Sequence, residues 1–278
     1  MKFAIAISNA GETGHPRQMA ELAHIAEESG WEGIFLEDYI IHWSGPESET
    51  YDPWICLATI AMRTEHIRFG NMVTPLPRRR PWKVARELLS LDHLSNGRVV
   101  LGAGSGHNVD PGFNNTGEVI DPKRRARRLD EGLEIINGLL SGEPFSYTGE
   151  VYRIEEMVFH PRPIQQPRIP IWIGGAWPKK GPLKRAARWD GYFTFKEEGA
   201  MTPEDVVAIC RASTELRGTL QGFDLGIGGS SRTDDIQRDR EKMQAFAAAG
   251  VTWWNEFMPQ GRFDEVRKLI ARGPILIG

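Results

Sequence analysis

Three kinds of chemistry can be tested against the polar residues of this sequence. A metal site would need a His-x-His pair or a tight cluster of histidines and carboxylates. The seven histidines form no such pair, so we predict no metal site. A Schiff-base lyase would need a desolvated lysine at the end of a strand, and Lys196 is a distant candidate. Glu197 and Glu198 follow it directly, and neighbouring acids favour a charged, solvated ammonium group.

Binding of a phosphate-bearing cofactor has better support. Gly174 and Gly175 end a predicted strand, and the helix that follows is rich in the basic residues Lys179, Lys180, Lys184 and Arg185. Glycines let a phosphate approach the backbone, and a helix N-terminus with lysines supplies N–H donors and positive charge. A glycine turn beside a solvated helix face would have the same pattern, so both interpretations stay open. A second glycine-rich turn, residues 102–106, would let a flat ring lie against bare backbone.

Eight predicted strands alternate with eight predicted helices and would position these residues. Short apolar runs predict strands at residues 1–8, 33–38, 67–74, 98–104, 170–174, 191–195, 224–228 and 251–257. Amphipathic segments predict helices at residues 16–29, 53–63, 81–95, 122–141, 182–189, 203–217, 235–249 and 262–272. The chain has 278 residues, or about 35 for each strand and helix, which is the size of a βα repeat.

The predicted fold class is therefore α/β, a single (β/α)8 TIM barrel domain over residues 1–278. Two insertions are expected, a loop at residues 105–120 after strand four and a hairpin at residues 145–158 before strand five. An open, doubly wound sheet is the alternative, but no G-x-G-x-x-G follows the first strand. In a barrel the active site lies at the C-terminal ends of the strands.

Composition excludes several broad classes. The chain contains 34 Lys and Arg and 37 Asp and Glu, for a formal net charge of -3, which does not suggest a protein that binds nucleic acid or a membrane surface. No apolar run approaches the length of a membrane span, and the first strand is too short for a secretory signal. The two cysteines form no CxxC pair. We expect a cytoplasmic protein with reduced thiols.

Short motifs in a fixed order extend over almost the whole chain. They are Thr50-Tyr-Asp-Pro-Trp54, Ile67-Arg-Phe-Gly-Asn-Met-Val-Thr-Pro75, Leu91-Asp-His-Leu-Ser-Asn-Gly-Arg98, Val100-Leu-Gly-Ala-Gly104, Gly142-Glu-Pro-Phe145, Pro161-Arg-Pro163, Pro170-Ile-Trp-Ile-Gly-Gly175, Arg188-Trp-Asp-Gly191 and Ala248-Ala-Gly-Val251. Together they resemble the bacterial luciferase-like monooxygenases. That family includes FMN-dependent monooxygenases and deazaflavin (F420)-dependent oxidoreductases, all built on a (β/α)8 barrel.

The resemblance implies two catalytic residues. Strand two of the relatives ends in an acid or histidine beside the reactive ring, which places Asp38 there with Trp43 nearby. Here Tyr39 follows, where a histidine is commoner. The turn after strand four carries a proton-transfer residue in some members, and His107 occupies that position instead of an acid. A histidine titrates near neutral pH and can act as acid or base, although a loop histidine with a structural role would fit too.

The resemblance also implies the cofactor-binding residues. Deazaflavin-dependent members have a bulge with a non-prolyl cis peptide that braces the back of the ring, and it falls at Asn71, Met72, Val73 and Thr74. Gly104 belongs to the turn against which the ring would lie. The cofactor-phosphate loop of the family matches Gly174, Gly175, Ala176 and Trp177, with Lys179 beside it. Arg78, Arg79 and Arg80 either reach an anionic substrate or cofactor tail or form a solvated turn, and the sequence leaves both open.

The leading hypothesis is an FMN-dependent monooxygenase that acts on a small organic substrate with O2. Its reduced FMN would come from a separate flavin reductase. The first alternative is an F420-dependent oxidoreductase that exchanges hydride with an alcohol, aldehyde or imine. The alternative of another class is a non-catalytic flavin-binding protein on the same scaffold. Because relatives commonly pair through barrel helices, we expect a homodimer.

Overall fold

Eight parallel strands close into a barrel in this computed structural model, which describes residues 1–43, 45, 47–107 and 109–277. The ten strands in chain order are β1 (Lys2–Ile7), β2 (Gly33–Leu36), β3 (Arg68–Pro75), β4 (Val99–Gly104), β5 (Phe145–Thr148), β6 (Arg153–Met157), β7 (Ile171–Trp177), β8 (Gly191–Lys196), β9 (Asp224–Gly229) and β10 (Trp253–Phe257). All except β5 and β6 belong to the barrel, in chain order, and β10 pairs with β1. The predicted fold class is confirmed.

Helices follow the barrel strands and cover the outside of the sheet. They are α1 (Pro16–Glu28), α2 (Pro53–Arg63), α3 (Pro81–Leu94), α4 (Pro111–Asn114), α5 (Pro122–Leu140), α6 (Lys180–Ala186), α7 (Pro203–Arg217), α8 (Ile236–Ala249) and α9 (Phe263–Ile270). Local sequence sets several of their starts. Asp52 caps α2 by accepting from the Trp54 N–H at 2.8 Å, and Asp121 caps α5 in the same way through Arg124. None of the described helices is long and apolar enough to cross a membrane.

Both predicted insertions are present. The antiparallel pair β5 and β6 forms the hairpin ahead of β7. It is held to α5 by the Glu131 carboxylate, which accepts from the backbone N–H groups of Glu150, Val151 and Tyr152. The loop after β4 contains the single-turn helix α4, which sequence analysis did not predict. Asn108 of this loop lies outside the described residues.

Large apolar side chains fill the interior of the barrel. Phe35, Trp172 and Trp253 pack together at ring-centroid distances of 5.4–6.0 Å, with Ala4 and Val100 completing the cluster. Because side chains alternate along a strand, every second residue beyond these also points inward, toward the C-terminal mouth. The described part of the barrel interior is therefore packed below the C-terminal mouth.

One predicted boundary is wrong in a way that matters for the site. Sequence analysis ended strand five at residue 174 and treated residues 174–177 as a phosphate-binding turn, whereas β7 continues to Trp177. Gly174 pairs with Phe193 of β8 and Ala176 pairs with Phe195, so this segment is part of the sheet. Gly174 and Gly175 have the local composition of a turn. The neighbouring strand β8 nevertheless supplies hydrogen-bond partners that continue the β-ladder through them.

Candidate active site

A cavity of about 420 Å³ lies at the C-terminal ends of β2, β3, β4, β7 and β8. Its size falls within the range of small-molecule sites. Nine of the residues predicted for the site line it, namely Asp38, Met72, Val73, Gly104, His107, Gly174, Gly175, Ala176 and Lys179. Its position is where barrel enzymes carry their active sites. The predicted location therefore coincides with a cavity.

A bulge in β3 shapes one wall of this cavity. The register between β3 and β4 shifts between Asn71 and Thr74, and the Met72–Val73 peptide is cis. The bulge directs the Val73 side chain toward β4 and β7. A Cβ atom built on Gly104 would lie 2.5 Å from Val73 Cγ2, and one built on Gly174 would lie 2.4 Å from Val73 Cγ1. The two glycines thus make room for an apolar wall of the mouth.

This arrangement changes the role expected for the glycines. Sequence analysis proposed that a flat ring lies on bare backbone near Gly104 and that Gly174 approaches a phosphate. In the structure the Val73 side chain covers both positions. A Cβ on Gly175 would in turn meet Pro182 at 2.2 Å, so this glycine allows α6 to pack closely on β7. A flat ligand would therefore contact Val73, and the glycines act through it.

We expect the Gly174→Ala substitution to lower the free energy of unfolding by about 1–3 kcal/mol, the usual cost of overpacking a filled site. The added methyl group would displace Val73, and binding of a flavin or deazaflavin should weaken with it. Chemical denaturation and fluorescence titration measure the two effects. Gly181→Ala is the matched control, because nothing lies within 4 Å of the Cβ it would add. Unchanged stability and binding in Gly174→Ala would contradict this role for Val73.

The Asp38 carboxylate is fully engaged by neighbouring donors. Its side chain is 1% exposed, and its oxygens accept from Arg78 at 3.1 Å and from Arg79 at 3.1 and 3.2 Å. Trp54 Nε1 donates to Oδ2 at 3.4 Å. Arg78 also donates to the Asp38 carbonyl and to the Asp110 carboxylate. Asp38 therefore lies at the cavity wall as part of a buried ion-pair network, and both of its carboxylate oxygens accept hydrogen bonds from these donors.

The same network argues against the interpretation of the arginine run as a solvated turn, at least for Arg78 and Arg79. The Arg78 side chain is 2% exposed and the Arg79 side chain 20% exposed, so neither belongs to a solvated turn. Arg78 lies 5.3 Å from the ring centroid of Phe113, and Arg79 lies 5.4 Å from that of Trp54. Both hold segments of the mouth together. Arg80, in contrast, is exposed.

His107 lies at the rim of the cavity. It is exposed, and its Nδ1 accepts from the Val109 N–H at 3.4 Å. Trp43, expected near the ring, is 63% exposed, packs on His42 with ring centroids 5.1 Å apart, and does not line the cavity. Neither residue is placed in the interior of the mouth.

Basic side chains lie along one side of the cavity. Arg125 at the start of α5 is buried, and burial lowers the pKa of its guanidinium while Asp110 and Asp121 raise it. Arg185 of α6 forms a two-bond pair with Asp130 at 2.5 and 3.0 Å. Lys179 pairs with Glu197, and both side chains are about half exposed. This side of the cavity would supply positive charge to an anionic group of a ligand.

Three predicted cofactor residues do not line the cavity. Asn71 and Thr74 are buried in the wall behind it, and Asn71 Nδ2 donates to Thr74 Oγ1 at 3.3 Å. Trp177 packs against the hydrophobic core. Further residues line the cavity to which sequence reasoning assigned no role in the site, among them Glu37, Tyr39, Arg125, Phe193 and Phe195. Strand alternation could have identified Glu37, Phe193 and Phe195, because inward positions recur every second residue.

Two further hypotheses can be checked against the geometry. Lys196 donates to the Asp205 carboxylate at 3.0 Å, in an ion pair with the N-terminal turn of α7, and it does not line the cavity. This pairing gives no support to a Schiff-base role. Within the described residues, no group of three His, Cys, Asp or Glu side chains could hold a metal ion.

Comparison with known proteins identifies related chains. A family model described as luciferase-like monooxygenase matches residues 1–268. An F420-dependent glucose-6-phosphate dehydrogenase of Microbacterium testaceum is 32% identical over 185 residues, which cover 64% of this chain and 52% of that protein. The chain thus spans about half the length of that curated relative.

Solved structures share the fold. An F420-dependent secondary alcohol dehydrogenase in complex with an F420–acetone adduct gives a TM-score of 0.78 at 16% identity, with 92% of each chain covered. A monooxygenase from Streptomyces bottropensis gives a TM-score of 0.77 at 20% identity and covers 97% of this chain and 96% of that one. At these identities the similarity establishes the barrel architecture and its closure.

Proposed function

We infer the function from one premise: the chain belongs to the luciferase-like monooxygenase family, whose model matches residues 1–268. Within this family we propose that it is an oxidoreductase that uses the deazaflavin F420 to exchange hydride with a small organic substrate. In the sequence analysis this function is the first alternative to an FMN-dependent monooxygenase. The leading hypothesis, an FMN-dependent monooxygenase, is not favoured, since the M. testaceum relative is named as F420-dependent.

The observation that carries the proposal is the bulge that directs Val73 into the mouth. Its side chain lies over Gly104 and Gly174 and gives the cavity a rigid apolar wall against which a flat ring can lie. The resemblance of the sequence to deazaflavin-dependent members anticipated a bulge at these residues. Glu37, Tyr39 and Phe193 line the same cavity and would be available to a ring held against Val73.

The residues present fit the other parts of such a cofactor. F420 carries a phosphate and carboxylates, and Arg125, Arg185 and Lys179 would bind these anionic groups along the basic side of the cavity. The bound ring supplies the hydride chemistry. The chain's own residues orient it, and the aromatic side chains Phe193 and Phe195 limit access of water to its face.

Fluorescence titration of the purified apoprotein with F420 and with FMN, each oxidised and reduced, tests the proposal. We expect F420 to bind with a dissociation constant of about 1 μM or below, a free energy of roughly -8 kcal/mol, and FMN to bind at least tenfold more weakly. Preference for reduced FMN would instead support the monooxygenase and its separate flavin reductase. Binding of neither cofactor would contradict the proposal.

A second measurement separates an enzyme from a binding protein. Bound F420 should be reduced or oxidised when substrates from a panel of alcohols, aldehydes and imines are added. F420 binding without substrate-dependent change in its absorbance across a broad panel would favour the non-catalytic flavin-binding alternative.

Pairing of two copies through barrel helices also belongs to the proposal. Ile55 and Met62 on α2 are 59% and 71% exposed and lie two turns apart on one face of the helix. Burial of such side chains between two copies would stabilise a homodimer. A monomer in sedimentation at micromolar concentration would contradict it.

A further inference from the structure

Two acidic residues follow β2 side by side, and the barrel separates their surroundings. Phe35 of β2 points into the barrel, where it packs against Trp172 and Trp253. Alternation along the extended chain therefore directs Glu37, two residues later, into the mouth, and Glu37 lines the cavity. Asp38 is directed to the other side, into the cluster of arginines.

The two carboxylates differ in their charged partners. Asp38 is bound by Arg78, Arg79 and Trp54. Among the described ion pairs within 4 Å, none joins Glu37 to a lysine or an arginine. The pair that involves Glu37 is with His42, whose Nε2 lies 3.9 Å from Glu37 Oε2. The Glu37 side chain is 40% exposed and lines the cavity. It is therefore available to a ligand, whereas the Asp38 oxygens are already bound by the two arginines.

The groups that face Glu37 leave it able to hold a proton. Partial burial raises the pKa of its carboxyl, and the hydroxyl of Ser8, the residue after β1, lowers it by less. Burial also lowers the pKa of His42, which keeps that ring uncharged at neutral pH, and Gln260 Nε2 lies 2.8 Å from its Nε2. Burial raises the pKa of Tyr39 to about 12, with the charges of Glu37 and Asp110 adding to the effect, so its phenol stays neutral.

We propose that Glu37 is the catalytic acid and base of this site and that the substrate is an alcohol and carbonyl pair whose oxygen exchanges a proton with the Glu37 carboxyl. The inference rests on the proposed function, since it takes the deazaflavin ring as the hydride partner. It gives Glu37 the proton-transfer role that the resemblance implied for His107. Asp38 becomes a positioning residue that fixes Arg78 and Arg79, and His107 a residue of the rim.

In the direction of oxidation, the carbinol C–H bond of the substrate breaks, and a bound oxidised deazaflavin would accept the hydride with its electron pair. The O–H bond of the substrate breaks, its proton passes to the Glu37 carboxylate, and the carbonyl double bond forms. In the direction of reduction, protonated Glu37 returns the proton to the oxygen. A carboxyl group with a raised pKa is better suited to hold and release a proton in both directions than an ordinary glutamate.

The first test uses the apoprotein and needs no substrate. Protein labelled with ¹³C at the glutamate carboxyl carbon is titrated by NMR, and the resonance missing from Glu37→Gln identifies the group. We expect this resonance to titrate at a pH above the ordinary range for glutamate, about 4.3. A titration at or below that value would overturn the proposal, because the cavity would then not favour the protonated form.

The second test separates catalysis from cofactor binding. Glu37→Gln should bind F420 within about twofold of the wild-type affinity, while oxidation of a panel of primary and secondary alcohols falls by about 10²–10⁴-fold, the range for loss of a general base. Glu155→Gln, an exposed residue of β6, is the matched control. Full turnover by Glu37→Gln would overturn the proposal.

The pH dependence gives a readout that a structural role would not change. Since the base must be ionised, kcat/KM for alcohol oxidation should rise with pH through the Glu37 pKa, and kcat/KM for carbonyl reduction should fall there. His107→Ala should keep this limb of the profile, and Glu37→Gln should lose it. A limb that disappears in His107→Ala and stays in Glu37→Gln would assign the proton to His107.

Failure of the proposed function would look different. If wild-type protein binds no F420 or oxidises no alcohol of the panel, the cofactor or the substrate class is wrong. The NMR titration then decides by itself whether Glu37 holds a proton in the cavity, because it depends on neither F420 nor substrate.

Discussion

Arg78→Met is expected to lower the free energy of unfolding by about 3–5 kcal/mol, the usual cost of removing one partner from a buried ion pair. The Arg78 side chain is 2% exposed and bridges two carboxylates that are 1% and 4% exposed, those of Asp38 and Asp110. Without the guanidinium, Asp110 loses its ion-pair partner and Asp38 keeps only Arg79. The variant would leave buried negative charge with one cation fewer to offset it.

Urea denaturation measures this effect, and the third residue of the arginine run supplies a control. Arg80→Met changes an exposed side chain of the same type two residues away, and its effect should stay within about 0.5 kcal/mol. The Arg78→Met variant should also bind F420 more weakly, since Arg78 joins the segment after β2 to the loop after β4 across the cavity. A loss of less than about 1 kcal/mol would place Arg78 among the weak surface pairs.

Arg98→Met is expected to cost at least about 3 kcal/mol, because several buried acceptors would lose their donor together. Arg98 precedes β4 and is 8% exposed. Its guanidinium donates to the carbonyl oxygens of Ala61, Thr64, Ile67 and Ser95 at 2.7–3.0 Å and to Thr64 Oγ1 at 2.7 Å. The Arg98 side chain thus joins the C-terminal end of α2 to the residue before β3 and to the turn after α3.

The comparison with lysine makes the prediction specific. Arg98→Lys keeps the charge but offers three donors from a single nitrogen, so it should recover only part of the lost stability. Arg211→Met on the exposed face of α7 is the control for loss of an arginine at the surface. Equal stability of Arg98→Met and Arg211→Met in urea denaturation would show that the network of acceptors contributes nothing measurable.

Much of the fold follows from signals within a few residues. The apolar periodicity of α5 and the Asp121-Pro122 start predict this helix with its observed first residue. Glycine stops and short apolar runs predict all eight barrel strands, with ends that differ by a few residues. Such signals are reliable because capping and amphipathic burial depend on neighbouring residues along the chain.

The boundary that failed depended on a partner far away in sequence. Gly174 and Gly175 have the composition of a turn, and only pairing with β8 makes them strand. The bulge at Met72 and Val73 was expected from the family resemblance alone, since nothing in its local composition predicts a register shift against β4. Its effect on Gly104 and Gly174 required three strands to be brought together.

By itself, the sequence determined the barrel, its two insertions and the end at which a ligand is expected, because eight βα repeats leave few other ways to bury their apolar faces. It also placed two acids at the end of β2. Only the tertiary structure decided between them, since the arginines that bind Asp38 lie about forty residues away and reach it when the chain folds back after β3. Glu37 remains open to the cavity because the barrel directs it inward and brings no arginine or lysine of the described ion pairs to it.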